Sequence, residues 1–187
     1  MWRTTKEEYS EDCCGATVKS GFEKIKVWGA IRYGKLSELV ILPDSEREGK
    51  LTAVQYQDLV LDGELFDFWQ ASMEEEEYVM VMEDGASYHK GAASARREQY
   101  EKNGWMGWGP GTWPASSPDL NPIENVWHML INNIQKRKVQ PKNREELIIA
   151  VKEEWAKLDL NKVNNLIDSM PRRIAAVREA NGGPSGY

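Results

Sequence analysis

Two carboxylates stand out by where they fall along the chain. Asp84 follows the apolar run Tyr78-Val79-Met80-Val81-Met82 and Glu83. A residue just beyond a strand lies where ligand sites of α/β sheets collect. A carboxylate there must be exposed, paired or metal-bound, because burying it alone is costly. The competing reading is a turn, since Asp84-Gly85 is a turn-forming dipeptide. Glu124 is the third residue of a helix that Asn121 and Pro122 should start. A Glu at that place can close a capping box and favour the helix dipole, so it too has a bland role. Thirty-nine residues separate the two acids, which is no metal signature by itself. His89 lies five residues past Asp84, and His128 one turn past Glu124. Capping, packing or surface exposure accounts for either histidine as readily as chemistry does. A third group is cationic: Lys136, Arg137, Lys138, Lys142 and Arg144, with Arg172, Arg173 and Arg178 further on. Such a cluster is either a solvated face or a stripe that contacts phosphates.

These residues need elements to hold them. Val27 to Ile31 and Leu36 to Leu42 are β-prone runs around Tyr33-Gly34-Lys35, the pattern of a hairpin ended by Pro43. Residues 44–50 read as a loop. Residues 52–69 place Val54, Leu59, Leu61, Leu65, Phe66 and Trp69 at mixed helical spacing, with a soft spot at Gly63. The acids Glu74 to Glu77 read as a solvated loop. The apolar run 78–82 predicts a short strand buried on both faces. Residues 90–102 are good helix formers that Gly104 can stop. Residues 104–118 hold three Trp, four Gly and three Pro, a loop with room for one short strand. Its Trp residues could stack on bases or pack beneath the loop. A helix from Pro122 to about Lys138 follows, broken by Pro141. Asn143 caps the next one, with Glu146 at its third position and Leu147, Ala150, Val151 and Trp155 on one face. Further helices cover 160–169 and 171–180, closed by Asn181-Gly182-Gly183. The order describes a mixed α/β layer fold in a single domain over 1–187.

Composition excludes several classes. With 41% hydrophobic and 29% charged residues, the 187-residue chain reads as folded and globular, not disordered. The longest aliphatic run, Leu39 to Leu42, is too short for a membrane span, so no membrane association is expected. The first residues lack an apolar signal core, so secretion is not expected. Cys13 and Cys14 are the two cysteines, and an adjacent pair supports neither a disulfide framework nor a zinc cluster. The net charge of −6 argues against a protein that simply coats nucleic acid. It is unevenly spread: residues 1–84 carry 9 basic and 19 acidic side chains, and residues 85–187 carry 15 and 11.

Two strings give the acids a context. "VMEDGASYH" and "WPASSPDLNPIENVW" resemble the best-marked segments of the Tc-one/mariner superfamily of DDE transposases. "KVWGAIRYGKLSELVIL" resembles that family's central hairpin, and "NLIDSMPRRIAAVREANGGPSGY" its C-terminal tail. The resemblance runs from about Trp2 to Tyr187. It implies a ribonuclease-H-like mixed sheet flanked by helices, with extra C-terminal helices. Asp84 matches the second catalytic acid, at a strand end, and Glu124 the third, at a helix start. The implied reaction is metal-dependent DNA strand cleavage and strand transfer, an in-line displacement. Two Mg2+ (or Mn2+) ions held by converging carboxylates would clamp the attacking and leaving oxygens. His89 matches a family histidine beside that site, while Asp119 and Asn121 shape the loop and cap. The implied partners are DNA (transposon ends and target) and a second copy or a full-length transposase, in the nucleus.

The chain departs from the pattern in four respects. The first catalytic Asp has no match, because Met1-Trp2-Arg3 resembles an element that follows the strand bearing it. Glu7, Glu8 and Asp12 lie in a polar stretch with no strand to aim them. The first strand of the sheet is therefore expected to be absent, leaving a neighbour's edge open to self-association. No helix-turn-helix module is recognised, Ser87 stands where Pro is common, and the Gly-Trp-rich loop is a few residues longer than usual. The expectation is a transposase catalytic-domain fragment that is inactive alone. The alternatives are a non-catalytic module that binds DNA or a transposase, and a decayed remnant.

Overall fold

In the computed structural model of the chain, residues 16–20, 23–43, 51–83, 106–108 and 117–182 are described. They divide into two compact units. One holds Ala16 with residues 26–28, 40–43, 51–83 and 106–108; the other holds 17–20, 23–25, 29–39 and 117–182. No helix among the described residues is long and apolar enough to cross a membrane.

Strands β1 (Ala16–Ser20), β2 (Glu23–Trp28) and β5 (Val40–Leu42) form a sheet in the order β1-β2-β5. Strands β3 (Ile31–Arg32) and β4 (Lys35–Leu36) form a separate antiparallel pair around Tyr33-Gly34. The predicted hairpin is present, in two pieces. Lys26, Val27 and Trp28 pair antiparallel with Leu42, Ile41 and Val40, and Ile31 and Arg32 pair with Leu36 and Lys35. The β-prone run starts at Val27, whereas the sheet begins earlier, with β1 and the first half of β2. The signal was there: buried Ile25 and Val27 alternate with exposed Lys24 and half-buried Lys26.

In the first unit, the predicted helix over 52–69 is a compound element. Helix α1 (Ala53–Tyr56) starts with a capping box between Thr52 and Gln55. It widens into a π-type stretch over Gln57–Glu64, where the Leu65 N–H reaches back to the Val60 carbonyl. Helix α2 (Leu65–Met73) continues it. The wide turn puts Tyr56, Val60, Leu61, Leu65 and Trp69 on one buried side, packed with Leu42. Val54 and Leu59, two of the residues at helical spacing, are 65% and 40% exposed. The soft spot falls where the composition put it. Gly63 leaves the helical region (φ −107°, ψ −117°), and a Cβ there would stand 3.1 Å from the Asp58 carbonyl.

Strand β6 (Met80–Met82) pairs in parallel with β7 (Met106–Trp108), the short strand for which the Gly-Trp-rich loop had room. The expected burial on both faces is not found. Val79 and Val81 pack on the core, whereas Tyr78 and Met80 are 52% and 41% exposed. The run is apolar on both faces, but among the described residues it has a core to lie on only on the valine side.

The second unit is mostly helical. After a 3₁₀ turn at Pro118–Leu120 come α3 (Pro122–Gln135), α4 (Arg144–Ala156), α5 (Leu160–Asp168) and α6 (Met170–Glu179). Helix α4 starts as predicted: the Asn143 side chain accepts from the Glu146 N–H at 2.8 Å, and the Glu146 carboxylate accepts from the Lys142 N–H at 2.9 Å. Its buried face is Leu147, Ala150, Val151 and Trp155. Asn181 at φ 51° ends α6.

Gly29 shows why this unit tolerates no side chain at that point. Trp127 and Trp155 stack with centroids 5.1 Å apart, and a Cβ on Gly29 would lie 2.9 Å from Trp155 Cζ2 and 3.1 Å from Trp127 Cη2. Both rings are buried and cannot swing away. Gly29→Ala is expected to destabilise the fold by about 1–3 kcal/mol through overpacking. Urea unfolding would show it as a lower midpoint at unchanged slope.

Candidate functional site

Glu124 sits in the first turn of α3, half-buried. The sequence builds that turn from the 3₁₀ segment Pro118–Leu120 and the Asn121-Pro122 start. The N–H groups of Leu120, Asn121 and Glu124 donate to the carbonyls of Ser117, Pro118 and Asn121 at 3.1, 3.1 and 3.2 Å. Asn121 occupies the N-cap with extended backbone (φ −112°, ψ 101°), but its side chain makes no capping hydrogen bond. The first half of a capping box is therefore not made, unlike at Thr52 and Asn143, and capping alone does not explain the Glu124 carboxylate.

His128 is exposed, and its Nδ1 lies 2.7 Å from the Glu124 carbonyl oxygen. A carbonyl can only accept, so Nδ1 carries the proton. This local i to i−4 bond agrees with the surface reading of that histidine.

The side chain that shapes this helix start is one that sequence reasoning placed in a basic stripe. Arg173, on α6, is 2% exposed. Its Nε donates to Ser169 Oγ at 2.7 Å, Nη1 to the Asp119 carbonyl at 2.9 Å and Nη2 to Asn125 Oδ1 at 2.9 Å. Arg173 is thus unavailable to external phosphates, whereas Arg172 and Arg178 are exposed.

The main basic cluster falls on the connection between α3 and α4. Lys136, Lys138 and Lys142 are exposed there. Arg137 is committed inward: Nη1 reaches Glu154 at 2.6 Å and Nη2 reaches Glu153 at 2.8 Å. These carboxylates, Glu153 first, hold its guanidinium pKa above the ordinary value. Arg144 is half-buried, with a buried Nε that has no hydrogen-bond partner among the described residues.

Asp84, His89, Glu7, Glu8 and Asp12 lie outside the described residues, as do the predicted helix over 90–102 and the three loop Trp except Trp108. Glu83, next to Asp84, is buried and accepts a 2.5 Å hydrogen bond from the Tyr56 hydroxyl. Among the described residues, no three His, Cys, Asp or Glu side chains come together as a metal cage. Glu124 offers the hard oxygen that Mg2+ prefers, but one carboxylate is not a cage.

Comparison with known proteins brings the two acids under one family. The family model described as DDE superfamily endonuclease matches residues 26–148, a span containing both Asp84 and Glu124. The Tc1 transposase of Caenorhabditis elegans is 37% identical over 75 residues, covering 40% of this chain and 27% of that protein. The Tcb1 transposase of Caenorhabditis briggsae matches with the same identity and coverage. The Tc3 transposase of Caenorhabditis elegans is 25% identical over 163 residues, 87% of this chain and 46% of its own length. The chain thus spans less than half the length of these relatives. Among solved structures, the catalytic domain of Mos1 mariner transposase superposes with a TM-score of 0.69 at 16% identity, covering 97% of each chain. The Mos1 strand transfer complex gives 0.64 at 19% identity, covering 91% of this chain and 47% of that one. The fold is the ribonuclease-H-like mixed α/β architecture expected.

Proposed function

We propose a function from one premise: the chain belongs to the DDE superfamily endonucleases, as a catalytic domain of the Tc1/mariner transposase group. In this reading Asp84 and Glu124 are two of the acids that hold Mg2+ or Mn2+ for cutting and joining DNA at transposon ends. His89 stands beside that site, and Asn121 sets the helix start that carries Glu124. Bound there, such cations would supply the charge stabilisation that a phosphodiester displacement needs, and a full set of carboxylates would be required to hold two of them. The 187 residues offer matches for only two acids, so by themselves they cleave DNA negligibly. The observation that carries the reading is the family match over 26–148, with Glu124 half-buried at a helix start that its own N-cap side chain does not close. DNA as substrate places the work in the nucleus, with a second copy or a full-length transposase as protein partner.

The test uses supercoiled plasmid with Mn2+ and the 187-residue chain. No nicking above background is expected. Nicking that disappears in Asp84→Ala or Glu124→Gln would sink the claim of inactivity while supporting the site assignment. Mn2+ binding by the chain, measured by calorimetry, should weaken in Glu124→Gln. Equal binding by that variant would remove Glu124 from the site.

A further inference from the structure

We infer that Arg173 is a positioning residue for Glu124: its buried guanidinium, imported from the last helix, sets the first turn of α3. The inference rests on the reading of Glu124 as a site acid. Its acceptors bracket the turn. The Asp119 carbonyl lies just before Asn121-Pro122-Ile123-Glu124 and the Asn125 side-chain oxygen just after it. The third bond, to Ser169 Oγ, anchors the guanidinium at the junction of α5 and α6, where Ser169 also donates to the Leu166 carbonyl. One planar fork thus ties three chain segments with fixed angles, which an ammonium cannot reproduce.

Helix stability alone does not account for this arrangement. Asn121 is a good capping residue by type, yet its side chain makes no cap. A cation at a helix N-terminus opposes the macrodipole and costs helix stability. The chain therefore fixes this turn with a charged group that is unfavourable for the helix taken by itself. A positive charge is favourable where carboxylates must stay ionised close together. Fixed orientation is also what a carboxylate ligand needs from the groups behind it, since loss of such supports costs about 10–100-fold in metal affinity.

The experiment compares the 187-residue chain with Arg173→Lys, which keeps the charge and loses the fork, and Asn125→Ala, which removes one arm. Residue-resolved amide exchange by NMR is read at Leu120, Asn121 and Glu124, with the buried face of α4 as internal reference. In Arg173→Lys, exchange at the three amides should rise roughly tenfold or more while α4 is unchanged. Asn125→Ala should move the same amides by less. Mn2+ affinity of folded Arg173→Lys should fall by about 10–100-fold, a loss that a purely structural role would not give. A rise in exchange throughout the unit, no rise at all, or full rescue of Mn2+ affinity by Lys overturns the inference. If the unaltered chain shows no Glu124-dependent Mn2+ binding, the metal-site reading fails instead. The amide exchange then decides the role of Arg173 alone.

Discussion

Trp155→Ala is expected to lower stability by about 3–5 kcal/mol, the cost of emptying a buried aromatic site. The ring is 3% exposed and stacks on Trp127 with 24° between planes. It forms part of the wall that Gly29 approaches. Its Nε1 donates to the Ser37 carbonyl at 2.8 Å in a buried bond. The Ser37 side chain is itself used twice, its Oγ accepting from the Ala30 N–H and donating to the Glu38 carbonyl, both at 2.8 Å. Removing the indole opens a cavity and strands a carbonyl in the same step. Trp155→Phe separates the two effects. It retains much of the packing and loses the donor, so about 1–3 kcal/mol is expected. Urea unfolding of both variants checks this. A loss below about 1 kcal/mol in the Ala variant would mean that the stack is not what holds the hairpin Ile31–Leu36 to this unit.

Local signals were readable wherever they are enforced by neighbours in sequence. Asn143 with Glu146, Pro122 after Asn121, and the turn at Tyr33-Gly34 act over two to four residues, and each produced the element it announces. The π-type stretch over Gln57–Glu64 was not readable, because a periodicity template assumes a constant turn, and Gly63 told only that something gives way. Charge was the least readable feature. A guanidinium in the sequence carries no mark of its partner. Arg137 finds Glu153 and Glu154 because α3 and α4 pack together, and Arg173 finds Asp119 and Asn125 some fifty residues back. Both arginines looked like members of a surface stripe; Arg173 is a buried fastener and Arg137 a half-buried one. The candidate acids were legible through the strings around them. Physical pattern alone left each with two readings, Asp84 as turn former or site acid and Glu124 as cap or site acid.

Replacing Lys136, Lys138 and Lys142 together by Gln is expected to flatten the salt dependence of DNA binding by about 2.7 in log–log slope. Each phosphate contact contributes about 0.9 on a duplex. These lysines suit the task because their connection is rigid at both ends. Gln140 Nε2 lies within 3.1 Å of the carbonyls of Ile134, Gln135 and Arg137 and closes the end of α3. Asn143 and Glu146 close the start of α4. A rigid base lets exposed ammonium groups meet a backbone without ordering the chain first, which leaves more of the contact energy as affinity. Arg137→Gln is the contrasting variant. Its guanidinium already holds Glu153 and Glu154, so it should lower the melting temperature and leave the salt slope unchanged. Asp84→Ala should leave DNA retention intact, because a carboxylate repels phosphate and contributes no attraction to it. Fluorescence anisotropy of a labelled duplex across salt concentrations measures all three. If the triple variant keeps the parent slope, the connection is a solvated face and DNA must be held elsewhere. If Arg137→Gln also flattens the slope, by about 0.9, the pairing with α4 opens on contact with DNA, and the cluster works as four cations instead of three.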